Sequence, residues 1–138
     1  MNKSEILALL NANPACHPAT AEGDTPHVRG ILLYKADKNG LVFHAGITKD
    51  LHRQLSKNPK VEFCFNDYQR NIQVRVSGVV EPVEDMELKK EIVAKRDFLK
   101  PWLEKSGYEM LVVYRLRKGR ATVWTMDTNS VPKTYVEL

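Results

Sequence analysis

Arg29 stands inside the apolar run Val28-Arg29-Gly30-Ile31-Leu32-Leu33, and Lys49 follows Thr48 where a short helix is expected to begin. A guanidinium fork, an ammonium and the free backbone N–H groups of a helix start are what a phosphate group asks for. Plainer roles compete at each position. Arg29 can face solvent or pair with an acid, Lys49 can be a surface lysine, and Thr48 can act as a simple N-cap. No Ser/His/Asp or Cys/His arrangement for nucleophilic catalysis is readable. His17, His27, His44 and His52, with Cys16 and Cys64, show no metal-ligand spacing.

The elements that must position these residues are mostly strands. Ser4 is expected to cap an opening helix whose Ile6, Leu7, Leu9 and Leu10 share helical spacing, and Asn13-Pro14 ends it. Two extended segments follow, divided by Glu22-Gly23-Asp24-Thr25-Pro26, and the second runs from His27 to Lys35. Asp37-Lys38-Asn39-Gly40 carries an Asn-Gly hairpin signal, with Leu41 to Ala45 as the return strand. A helix is expected over Thr48 to Lys57 and a strand over Val61 to Phe65. Ile72, Val74 and Val76 alternate with Gln73, Arg75 and Ser77, the pattern of a strand buried on one face. Val83 to Asp97 reads as a charged helix, continued by Phe98 to Lys105 after a break near Pro101. Strands over Glu109 to Arg117 and Arg120 to Met126 complete the chain, with a polar tail after them. Roughly seven strands in meander-like runs with three helices favour a mostly β fold with α, an antiparallel sheet closed into a barrel with flanking helices.

The bulk properties narrow the function classes. A chain of 138 residues suits one domain over its whole length, and 43% hydrophobic residues suffice for a core. The net charge of +4 is spread along the chain, so no nucleic-acid footprint is read from it. No apolar run reaches the roughly 20 residues of a membrane helix, and the N-terminus does not read as a signal peptide. Two cysteines fit a reducing compartment, so a cytoplasmic location without membrane association is expected.

Five segments in order resemble the pyridoxamine 5′-phosphate oxidase-like split barrels. Pro26 to Tyr34 resembles the family's arginine-bearing flavin strand, and Leu41 to Lys49 its strand leading into a Ser/Thr-Lys/Arg pair. Leu55 with Asn58-Pro59-Lys60-Val61 and Ile72 to Gly78 are similar to its next two patterns, and Gly119 to Trp124 to its final strand. Asp50 stands where the true oxidases carry a second arginine, and no counterpart of their long C-terminal extension follows. The size is nearer to the short relatives, the nitroimidazole-resistance-like and general-stress flavoproteins.

The resemblance implies an FMN-binding split barrel. Arg29, Lys49 and Thr48 would meet the phosphate. Gly30, Ile31 and Leu32 would offer backbone groups to the ring edge, Gly30 admitting a planar ligand closely unless it marks a bulge. His44 and Ala45 would lie beside the ring, Gln73 would reach the phosphate or ribityl chain, and Trp124 would approach the flavin of a partner subunit. A small barrel has little room inside, so a groove between two copies is the expected place for FMN, in a homodimer that repeats each contact. Trp102 reads as helix packing.

Two function classes stay open. One is an FMN-dependent oxidoreductase that reduces a small organic acceptor, with NADH or NADPH as candidate donor. The other is a non-catalytic FMN carrier or redox sensor. A haem-binding barrel with His17, His27 or His44 as axial ligand is the further alternative.

Overall fold

The computed structural model describes residues 1–138. Helix α1 spans Lys3–Ala12 and ends at Asn13 as expected, but its N-cap is Asn2 rather than Ser4. The Asn2 side chain accepts from the Glu5 N–H while Glu5 reaches back to the Asn2 N–H, a capping box that places Ser4 inside the first turn. Ten strands follow: β1 Ala15–Glu22, β2 Thr25–Val28, β3 Ile31–Leu32, β4 Lys35–Asp37, β5 Gly40–Gly46, β6 Lys60–Asp67, β7 Ile72–Pro82, β8 Leu111–Leu116, β9 Arg120–Trp124 and β10 Val136–Glu137. Helices α2 Asp50–Lys57, α3 Met86–Lys95 and α4 Lys100–Ser106 lie between them.

All pairings are antiparallel, in the order β2-β1-β6-β7-β8-β5-β4, with β3 on β1 and with β9 on β7 and β10. The ladder is not closed on itself, so the expected closed barrel is a split one. Strand β7 bridges the halves. Its first part pairs β6 and β9, and Val80 to Pro82 pair β8. On the other side the chain between β3 and β4 crosses over: Leu33 N–H donates to Pro14 beside β1, and Tyr34 N–H donates to Val42 of β5. The single strand expected over His27 to Lys35 is therefore three short ones. A continuous strand could not serve both β1 and β5, and the run carries no local signal of that division beyond Gly30.

Gly40 closes the β4–β5 hairpin at φ +116°, and a Cβ there would lie 2.2 Å from the Leu116 carbonyl oxygen, so only glycine fits. Phe43, Phe63 and Phe65 fill the centre, fully buried. Phe43 meets Phe63 edge-on at 5.1 Å and stacks on Tyr114 at 5.4 Å. Ile6, Leu9 and Leu10 bring α1 into the same core, where Cys16 also lies, its thiol pushed up to about 12 by burial. A second cluster packs Leu88, Ile92 and Val93 of α3 against Val42, Leu111 and Val113. Alternation along β5 sends Phe43 inward and puts Val42 and His44 on the face turned to α3. The segment Asp97–Ser106, including α4, contributes no buried residue.

Candidate functional site

The ends of β3 and β5, the start of α2 and the segment after α3 enclose a cleft with two adjoining lobes. Ile31, His44, Ala45 and Lys49 line both. The polar lobe, about 460 Å³, adds Arg29, Gly30, Asp50 and Gln54. The apolar lobe, about 310 Å³, adds Leu32, Arg96, Phe98, Trp102, Met110 and Leu111 among others.

Arg29 is half-buried, and its guanidinium is held by neutral groups. It donates to the Pro18 carbonyl at 3.3 Å, to Thr20 Oγ1 at 3.0 Å and to Gln54 Oε1. Thr20 in turn donates to Gln54 Oε1 at 2.6 Å, and both side chains are buried. No carboxylate is hydrogen-bonded to this guanidinium. Burial lowers its pKa from the ordinary value, and Asp50 opposes that through space. Lys49 pairs with no acid and lies 5.9 Å from the centre of the Trp102 ring. Two cations without hydrogen-bonded counterions therefore flank one lobe, a donor set suited to an anion.

Thr48 departs from its expected place. Lys49 is the residue preceding α2, without a side-chain cap, because its N–H turns back to the Gly46 carbonyl at 3.0 Å and delays the helix to Asp50. Thr48 is exposed and lines neither lobe. Leu32 reaches only the apolar lobe, and its carbonyl accepts from Arg96 at 3.2 Å. Gln73 and Trp124 sit across from each other on β7 and β9, in a separate pocket with Arg75, Thr122 and Lys133. Gln73 donates to Asn66 at 3.1 Å and Trp124 to Asn129 at 2.8 Å. One chain thus gathers Arg29, Gly30, Ile31, Leu32, His44, Ala45 and Lys49, and holds Gln73 and Trp124 elsewhere.

The Gly30 backbone is not left-handed, and a Cβ there would meet only the His17 ring at 3.9 Å, an ordinary contact. The fold itself does not demand glycine at this point. Gly30→Ala is expected to hold or raise stability by about 0.4–1 kcal/mol in a denaturant titration, while a planar ligand on that strand edge binds less tightly. A loss of stability instead would mark Gly30 as a backbone requirement.

His44 and Arg96 form a contact that sequence reasoning missed. Arg96 caps the C-terminus of α3 and reaches back to His44 Nε2 at 2.7 Å and to the Leu33 carbonyl at 2.7 Å. Burial first, and the Arg96 charge second, push the His44 pKa down to about 4. Below its ordinary value of 6.5 the unfolded chain takes up a proton that the folded chain refuses. His44 should therefore cost stability as pH falls from about 6.5 towards 4, by up to about 3 kcal/mol. Urea titrations across that window should show the slope in the wild type and lose most of it in His44→Gln; equal slopes would refute the assignment. Gln54 and Trp102 were also missed as site residues. The spacing of Phe98, Leu99, Trp102 and Leu103 marks a local apolar face, but Gln54 and Arg96 carry no signal that sets them apart from their polar neighbours.

The pyridoxamine 5′-phosphate oxidase family profile matches residues 3–125. The chain belongs to that family. Among curated relatives, the pyridoxine/pyridoxamine 5′-phosphate oxidase of Pelagibacter ubique is 28% identical over 85 residues, 62% of this chain and 41% of that enzyme. The chain spans less than half the length of the curated relatives it matches. In fold, it is similar to a NimC/NimA family protein from Clostridium acetobutylicum, with a TM-score of 0.80 and 23% identity over 98% of this chain and 92% of that one. It is also similar to a pyridoxamine 5′-phosphate oxidase-related, FMN-binding protein from Nostoc punctiforme, with a TM-score of 0.64 and 14% identity over 96% and 87%. These likenesses establish the split-barrel fold of the family member described here. No helix is long and apolar enough to cross a membrane.

Proposed function

We propose that this family member binds FMN in the two-lobed cleft and uses it as an oxidoreductase acting on a small organic acceptor. The observation that carries the reading is that Arg29 and Lys49, neither hydrogen-bonded to an acid, line one polar lobe with the bare backbone of Gly30, and that this lobe shares Ile31, Ala45 and Lys49 with an adjoining apolar lobe. That order of features suits a ligand with an anionic end and a flat ring.

In this reading Arg29 and Lys49 bind the phosphate, and the Thr20–Gln54 pair fixes the Arg29 fork. Ile31, Ala45 and Gly30 pack on the ring. Phe98 and Trp102 wall the apolar lobe and exclude water from it. The flavin supplies the redox chemistry, while the protein supplies position and electrostatics. We further propose a homodimer, in which the pocket of Gln73, Arg75 and Trp124 on one copy completes the cleft of the other. NADH or NADPH is the proposed donor, and we place the protein in the cytoplasm on the unpaired thiols of Cys16 and Cys64. The haem alternative is disfavoured at His44, whose Nε2 is already taken by Arg96.

The test is an absorbance spectrum of the freshly purified protein, with mass spectrometry of what heat releases. Two broad flavin bands and released FMN support the proposal, and a sharp Soret band supports haem. A colourless protein that takes up no added FMN removes the flavin reading. Turnover with NADH or NADPH well above that of free FMN separates the enzyme from a carrier or sensor.

A further inference from the structure

His44 touches both lobes, yet its hydrogen bonding is one-sided. Nε2 lies 2.7 Å from Arg96 Nη1, and a guanidinium can only donate. The imidazole must therefore accept at Nε2, and a neutral ring then carries its proton on Nδ1. Nδ1 has no protein partner, and it is not among the sealed, unpartnered side-chain atoms, which are His27 Nε2 and Arg115 Nε. Nδ1 is therefore accessible, on a residue that lines the cleft.

Arg96 is itself held in place. Its second Nη1 hydrogen serves the Leu32 carbonyl at 3.2 Å, Nη2 serves the Leu33 carbonyl at 2.7 Å, and its Cζ lies 5.3 Å from the Tyr34 ring centre. The Tyr34 hydroxyl donates to Glu91 at 2.6 Å, and the Lys95 ammonium approaches the same ring. Lys49, before α2, is the other charge on this part of the cleft. On the polar lobe, which His44 also lines, the charged and titratable groups are Arg29, Lys49, His27 and Asp50. Asp50 accepts from Arg53 at 3.3 Å, and Glu91 is turned to Tyr34 and Lys35. No carboxylate is hydrogen-bonded to the His44 ring, whose one side-chain partner is Arg96.

We propose that Arg96 is a positioning residue that locks His44 as the Nδ1–H form, so that the cleft meets this imidazole only as a hydrogen-bond donor. The chemistry it fits is an acceptor edge of a planar ligand, a carbonyl oxygen or a pyridine-type ring nitrogen. The assignment of that edge to bound FMN rests on the proposed function, whereas the tautomer does not. His44 consequently acts as an orienting donor and leaves proton abstraction to other groups.

The experiment is nitrogen-15 NMR of the His44 ring in the ligand-free full chain, for wild type, Arg96→Met and Arg96→Lys. The wild-type ring is expected to show protonated Nδ1 and bare Nε2, unchanged between about pH 5 and 8. Arg96→Met is expected to restore titration in that range and to shift the proton towards Nε2. Arg96→Lys gives the same comparison with the charge retained, and partial recovery of the Nδ1–H form is expected there. A wild-type ring protonated at Nε2, or a spectrum indifferent to Arg96, overturns the proposal. The wild-type spectrum decides even if a variant fails to fold. FMN titration is the separate second readout, with binding expected to weaken roughly two- to tenfold in Arg96→Met. A protein with the Nδ1–H form that binds no FMN sinks the functional reading alone. One that binds FMN with the proton on Nε2 sinks the positioning role alone.

Discussion

Arg29→Ala is expected to weaken FMN binding by about 1.5–3 kcal/mol, the worth of a hydrogen bond to a charged group, or roughly ten- to 150-fold in Kd. The magnitude follows from the way Arg29 is held. Its partners are a carbonyl, a hydroxyl and an amide oxygen, so its charge remains available to a phosphate. The Thr20–Gln54 bond survives the substitution, and circular dichroism should show an unchanged fold. Arg29→Lys keeps the charge but loses the planar fork, and it should recover only part of the affinity. Flavin fluorescence titration is the measurement. Wild-type affinity in Arg29→Ala would remove this residue from the phosphate site and shift the weight to Lys49.

The second large effect is on stability. Phe43→Ala should cost about 3–5 kcal/mol, because Phe43 is fully buried and fits between the Phe63 and Tyr114 rings. Against a total of about 5–15 kcal/mol this is a large share, and the melting temperature should drop on the order of 10 °C. The same strand carries His44 and Ala45, so flavin retention should fail at the lowered temperature together with the fold. Val79→Ala, at a position 58% exposed, should stay within about 0.5 kcal/mol and serves as the control. A thermal melt of Phe43→Ala that coincides with wild type would contradict the packing described above.

The fold was most legible where local chemistry and tertiary contact agree. Asn39-Gly40 marks a tight turn by itself, and the close approach of the Leu116 carbonyl independently requires that glycine. Alternation in Ile72 to Ser77 likewise matches a strand that buries Val74 and Val76 completely. Legibility failed where the reason is long-range. The run from His27 to Lys35 is uniformly strand-forming, and only the need to pass from β1 to β5 divides it. Thr48 is a good capping residue that the Gly46–Lys49 turn leaves outside the helix. In the site, Arg29 stood out because a cation in an apolar run is unusual. Arg96 lies among Lys89, Lys90 and Lys95 in a charged helix, where nothing in the residue types singles out the one cation whose side chain turns back to β5.

The wall of the cleft formed by Asp97–Ser106 is anchored differently from its floor. Phe98 and Trp102 are 57% and 54% exposed, and no residue of α4 is buried, whereas β5 runs through the centre of the core. Local opening free energies track buried contact, so this segment can detach at a small fraction of the cost of global unfolding. Amide exchange there should run ahead of the barrel strands. A bulky ligand can then reach the inner lobe by displacing one short helix, while Arg29, His44 and the strand edge keep their positions on a scaffold that does not yield.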